Sequence, residues 1–201
     1  MSDDPKLQQL AIFTPEQELN PGYGNHYLFF VGRDDVHGIL LHLIKQEKLG
    51  FDFNQFGYDD QELNDAIMAM IQNPAITVQA TLDKSQAGGV HERVILTADE
   101  ALDGNDFGNS FAIGESATHQ ISHTKGGIFV GQGIGYEGST NWSASGEGIG
   151  IRLQADVKDP AGFKAQNNTL LVSTSPVFVS RFQRQLLAEH RIAQAQSSTI
   201  K

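Results

Sequence analysis

Apolar residues recur along this chain in two periods, and their alternation sets the order of the elements. His26 to Val31 (HYLFFV) is a short apolar run of strand length. Val36, Ile39, Leu40, Leu43 and Ile44 then follow the spacing of one helix face, with Asp34 or Asp35 as N-cap and Gly50 at the end. Phe51 to Phe56 (FDFNQF) alternates like a strand. Leu63, Ala66, Ile67, Met70 and Ile71 form a second helix face, capped by Asp59 or Asp60 and stopped by Asn73-Pro74. Ile76, Val78, Ala80 and Leu82 alternate in a third strand. This order predicts α/β layering with a mainly parallel sheet flanked by helices.

The remainder is less regular. Residues 83–110 are a polar excursion in which Val94, Ile95 and Leu96 suit a turn of helix or a short strand. Long excursions often carry selectivity, and as often are tolerated surface insertions. Ser143 to Lys158 is Gly-rich and irregular, Leu170-Leu171-Val172 reads as a buried strand, and Ser175-Pro176 opens a helix to about Ala195 that buries Val179, Phe182 and Leu186. Residues 1–25, with Pro5, Pro15 and Pro21, read as a polar arm or irregular lead-in. The expected organisation is therefore an arm over 1–25, one domain over 26–195 and a frayed tail over 196–201. No internal repeat is seen.

Composition narrows the functional classes. A chain of 201 residues with 39% hydrophobic content supports one well-buried domain. No apolar run reaches the roughly 18 residues of a membrane span, and the acidic start Met1-Ser2-Asp3-Asp4-Pro5 lacks a signal peptide's basic and apolar regions. The absence of cysteine excludes disulfides and thiolate metal sites and fits a cytoplasmic protein. A net charge of −10 disfavours a nonspecific nucleic-acid binder and an anionic membrane surface, although one basic cleft can coexist with an acidic remainder.

The candidate chemistry lies in His123-Thr124-Lys125 and Gly138-Ser139-Thr140-Asn141-Trp142-Ser143. On extended backbone, residues two apart share a face, so His123 pairs with Lys125, and Ser139 with Asn141. Two short strands joined by the stretch Gly126 to Gly138 would bring these pairs together. An imidazole, a fixed cation and neutral donors around one point suit a phosphodiester: the imidazole attacks phosphorus while lysine and amide hold the phosphoryl oxygens.

At these residues the chain resembles the phospholipase D superfamily, whose signature is His-x-Lys, an Asp five residues after the Lys, then Gly-Ser-x-Asn. His123, Lys125, Gly138, Ser139 and Asn141 match. Val130 stands at the Asp position, and the spacing to Gly138-Ser139 is one residue longer than the usual pattern. That Asp looks structural in the family, and Glu137 is an acid near enough to replace it. The resemblance implies a phospholipase D-like layered fold over roughly residues 26–190. It also implies hydrolysis of a phospholipid or nucleic acid without metal or other cofactor. With one signature copy, it implies a homodimer that builds one site from two chains. A family Glu that supports the catalytic histidine falls at Asn167 here, with Glu147 as a substitute. The alternative is a non-catalytic binding or scaffold protein that keeps the fold.

Other groupings carry less. Gly131-x-Gly133-x-Gly135 departs from the nucleotide-loop pattern and reads as a connection between strands. His119 and His123 have metal spacing only on a helix; extended, His119, Ile121, His123 and Lys125 share a face, and His119 either lines the cleft or is structural. Ser139 lacks the G-x-S-x-G elbow of a hydrolase nucleophile and is read as orienting or donating to a phosphate oxygen. Trp142 either packs beneath Asn141 or gives the substrate an apolar wall. His37 and His42 fall on the first helix, at its surface or edge, and nothing in the spacing of His91 assigns it a role.

Overall fold

A computed structural model describes residues 3–86, 109–149 and 165–198. Among the described residues, seven strands form one sheet in the order β1-β7-β6-β5-β2-β3-β4. They are β1 (His26–Phe30), β2 (Gly50–Gln55), β3 (Thr77–Asp83), β4 (Ser110–Gly114), β5 (Gly126–Phe129), β6 (Ile134–Gly138) and β7 (Thr169–Ser173). The helices are α1 (Pro5–Gln8), a 3-10 turn (Gln9–Phe13), α2 (Val36–Gln46), α3 (Gln61–Ile71), α4 (Ala144–Glu147) and α5 (Pro176–Ser198).

The amphipathic helices form where the hydrophobic spacing places them. Asp35 caps α2, and Val36, Ile39, Leu40, Leu43 and Ile44 are its buried face. Asp60 caps α3, which buries Leu63, Ile67, Met70 and Ile71. The helix α2 ends at Gln46, short of Gly50, which instead opens β2. The lead-in packs onto the domain: Leu7 and Leu10 are fully buried in the core.

The sheet is mixed and mostly antiparallel, which corrects the mainly parallel expectation. Only β2–β3 and β3–β4 pair in parallel; β1–β7, β7–β6, β6–β5 and β5–β2 pair antiparallel. The cause lies in the Gly-rich stretch. It does not join two strands; it is itself the hairpin β5–β6, with a tight turn in which Gly133 takes φ +62°. A hairpin is antiparallel by construction. It inserts between β2 and β7 and separates β1 from β2. Strands β1, β2, β3, β4 and β6 still run the same way, as the strand–helix–strand order requires. Their C-terminal ends, and the N-terminal ends of β5 and β7, therefore meet along one edge. In open α/β sheets that edge is where sites form.

Strand β2 departs from the alternation read in FDFNQF, because all six of its residues are buried. Phe51 and Phe53 enter the core with the apolar faces of α2 and α3. Phe51 stacks on Phe129 at 4.4 Å, and Phe53 stacks on Trp142 at 5.2 Å. Asp52 and Asn54 face the other way and meet Gln183 and Glu189 of α5. Polar residues thus alternate with apolar ones, but α5 covers the polar face too. On α5 itself Leu186 is buried, whereas Val179 and Phe182 are only half-buried.

Candidate active site

The two motif segments meet across the hairpin. The Gly138 N–H donates to the Lys125 carbonyl at 3.1 Å. His123 and Lys125 precede β5 rather than lying on a strand; Gly138 ends β6, and Ser139 to Trp142 follow it. The loop after β2 touches both segments. Gln55 Nε2 donates to the Thr140 carbonyl at 3.0 Å. The Phe56 ring lies 4.6 Å edge-on from the His123 ring and 4.9 Å beneath Lys125 Nζ. Gly57 abuts Asn141: a Cβ there would stand 3.0 Å from the Asn141 side chain.

His123 is exposed, whereas Lys125 is 4% exposed. Lys125 Nζ donates to the His123 carbonyl at 3.1 Å, which ties the lysine side chain to the backbone of the histidine. Burial pushes the Lys125 ammonium below its ordinary pKa, and the charge of Asp83 opposes that shift. Asp83, buried at the end of β3, also accepts from the Ser122 N–H and so holds the segment that carries His123.

Gly138 permits the close approach of β6 to β7, since a Cβ there would meet the Thr169 carbonyl oxygen at 2.1 Å. Ser139 is exposed, and its Oγ accepts from the Thr169 N–H at 3.1 Å. Its own O–H is then left to donate outward. Asn141 is half-buried, and its Oδ1 is buried with no hydrogen-bond partner. Trp142 is 1% exposed and stacks among Phe53, Tyr58 and Phe51, so it packs and offers no face to a substrate.

The remaining residues do not converge on this point. Asn167 is exposed in the segment before β7. Glu147 is buried against His37, whose Nδ1 lies 2.7 Å from Glu147 Oε2. His119 takes φ +57° in an irregular segment and pairs with Glu115 at 3.3 Å, so it does not share an extended face with His123. Val130 sits exposed at the hairpin turn. Glu137 is exposed as well. The acid that holds this hairpin is Glu47. Its Oε1 accepts from the N–H groups of Lys48, Leu49, Gly50 and Gly131, and its Oε2 from that of Gln132. Burial would raise the pKa of this carboxyl, but the backbone donors outweigh burial and hold it below its usual value. His91 and residues 94–96 lie outside the described residues.

Sequence reasoning missed Phe56, Asp83 and Glu47. Phe56 reads as the last apolar residue of a strand. Asp83 and Glu47 are lone acids at element ends, and only the fold brings them to the hairpin and its approach.

No family model matches the chain, and no curated protein matches it in sequence. Among solved structures the fold is matched by Nuc, a phospholipase D family member from Salmonella typhimurium, with a TM-score of 0.56, 12% identity, and 82% of this chain and 93% of that one covered. NucT from Helicobacter pylori matches with a TM-score of 0.57 at 16% identity, covering 82% and 96%. Phosphatidylserine synthase from Haemophilus influenzae matches with a TM-score of 0.53 at 13% identity, covering 89% of this chain and 39% of that one. The chain has the phospholipase D fold. Among the described residues, no helix is long and apolar enough to cross a membrane.

Proposed function

We propose that this protein is a phosphodiesterase of the phospholipase D type. It hydrolyses a phosphodiester of a phospholipid or nucleic acid through a covalent phosphohistidine. The observation that carries this reading is the buried Lys125, bonded to the His123 carbonyl and joined through its own carbonyl to Gly138, where the Ser139–Asn141 segment begins.

The neutral imidazole of His123 attacks phosphorus, and the bond from phosphorus to the leaving oxygen breaks. A second imidazole, protonated, gives its proton to that oxygen. It then takes a proton from water, whose oxygen attacks the phosphohistidine and releases His123. Lys125 and Asn141 hold the nonbridging oxygens, where charge gathers in the transition state. A chain with one such motif supplies the second imidazole from a second copy, His123 of the partner subunit, so the working unit is a symmetric homodimer.

The non-catalytic scaffold is the second reading. It draws on the exposed Asn167, which stands where a carboxylate would support the histidine and cannot neutralise an imidazolium. Turnover of a chromogenic phosphodiester, bis(p-nitrophenyl) phosphate, separates the two. Parent protein turns over and folded His123→Ala does not, if the site works as proposed. Silence from both, with both folded, favours the scaffold.

A further inference from the structure

We propose that His37, Asp60 and Glu147 bind a divalent transition-metal ion of the zinc type, at a site separate from the phosphodiester chemistry. His37 stands in the first turn of α2, Asp60 caps α3, and Glu147 ends α4. One ligand atom from each lies within 4.8 Å of the others. His37 Nδ1 is 2.7 Å from Glu147 Oε2 and 3.7 Å from Asp60 Oδ2. Asp60 uses its other oxygen to cap α3, accepting from the Leu63 N–H at 2.7 Å.

Three observations point to a cation. First, Glu147 is 2% exposed, and its Oε1 is buried with no hydrogen-bond partner. A buried carboxylate oxygen without a donor is costly in general, so such atoms call for a proton or an ion. Second, both ring nitrogens of His37 face carboxylates, since Nε2 lies 3.1 Å from Glu62 Oε2. A neutral imidazole has one N–H. If it donates to Glu62, the Nδ1 lone pair points at Glu147 and Asp60. A metal ion resolves that repulsion, as a second proton would. Third, carboxylates crowd one imidazole: Asp60, Glu62 and Glu147 all face His37, with Lys45 reaching Glu62 only at 3.8 Å.

The donor set chooses among cations. One imidazole nitrogen with two carboxylates suits zinc, whereas magnesium and calcium prefer oxygen alone. The Glu62–His37 contact is the outer hydrogen bond that metal-bound histidines make. Protons compete with the ion for the same atoms. The bound ion would join α2, α3 and α4.

Titration calorimetry with Zn2+ on metal-stripped protein tests the site without reading turnover. The expected result is one ion bound per chain. His37→Ala should abolish that binding. Glu62→Gln, on an exposed side chain that leaves the core intact, should weaken it about 10-fold or more. His119→Ala, a surface histidine elsewhere, should leave it unchanged. Absence of one-to-one binding by the parent protein, or affinity unchanged in Glu62→Gln, overturns the proposal.

Discussion

Lys125 is a cation kept out of water, held by one carbonyl and one aromatic face. A lysine desolvated in this way loses rotamer freedom and hydration before any substrate arrives. An incoming phosphoryl group then meets a charge already in place, and such a charge acts chiefly on the transition state. Lys125→Met keeps much of the volume and removes the charge. Steady-state kinetics should show kcat reduced on the order of 10²-fold or more, with a smaller change in KM. A variant with near-parent kcat would remove Lys125 from the chemistry. Glu47 matters by a different route. Four N–H groups converge on its Oε1, and they would be stranded without it. Glu47→Ala should destabilise by about 1–3 kcal/mol, the cost of stranding the buried Gly50 N–H, since the other donors are only part-buried. Because its folded pKa is depressed, its contribution is present above the unfolded value and is lost as pH falls through the folded one. Denaturant melts of parent and variant should therefore converge in strong acid.

At the scale of elements, the helices and strands with one strong period were legible, and their partners were not. The residues that bury α2 and α3 are those the spacing picks out, with Ala66 alone only partly buried. FDFNQF hid its second burial, because a polar face covered by a polar helix looks like a face turned to water. The hairpin hid in its glycines: a stretch read as a connection proved to be β5 and β6, and its insertion made the sheet mostly antiparallel. At the site, the motif residues flanking the hairpin were legible. Trp142, Glu147 and Asn167 come after the motif, with little in their local sequence to say which enters the core, another cluster or the surface. The polar layer under α5 carries its own prediction. Burial raises the pKa of Asp52, and its bond to Gln183 only partly offsets this. A carboxyl with a raised folded pKa supports the fold when protonated and weakens it as pH climbs past the unfolded value towards the folded one. Asp52→Asn should raise Tm at pH 7 to 8 and change it little near pH 3. A fall in Tm at pH 7 would mean that the buried charge is satisfied by more than Gln183.

Across the whole molecule, one edge of the sheet gathers what the sequence scatters. The ends of β2 and β3 and the start of β5 bring Phe56, Asp83, His123 and Lys125 to the same rim as the Ser139–Asn141 segment after β6. The proposed dimer completes that rim with a second imidazole, and the acidic balance of the chain, −10 overall, makes the local lysine charge the more significant for an anionic substrate. The most direct measurement is to quench the enzyme during turnover of a phosphodiester labelled at phosphorus and map the label by peptide mass spectrometry. The expected result is a phosphoryl adduct on the peptide that carries His123, stable in base, labile in acid, and absent from His123→Ala. Turnover with no adduct at any point of the time course, or an adduct on Ser139, would contradict it.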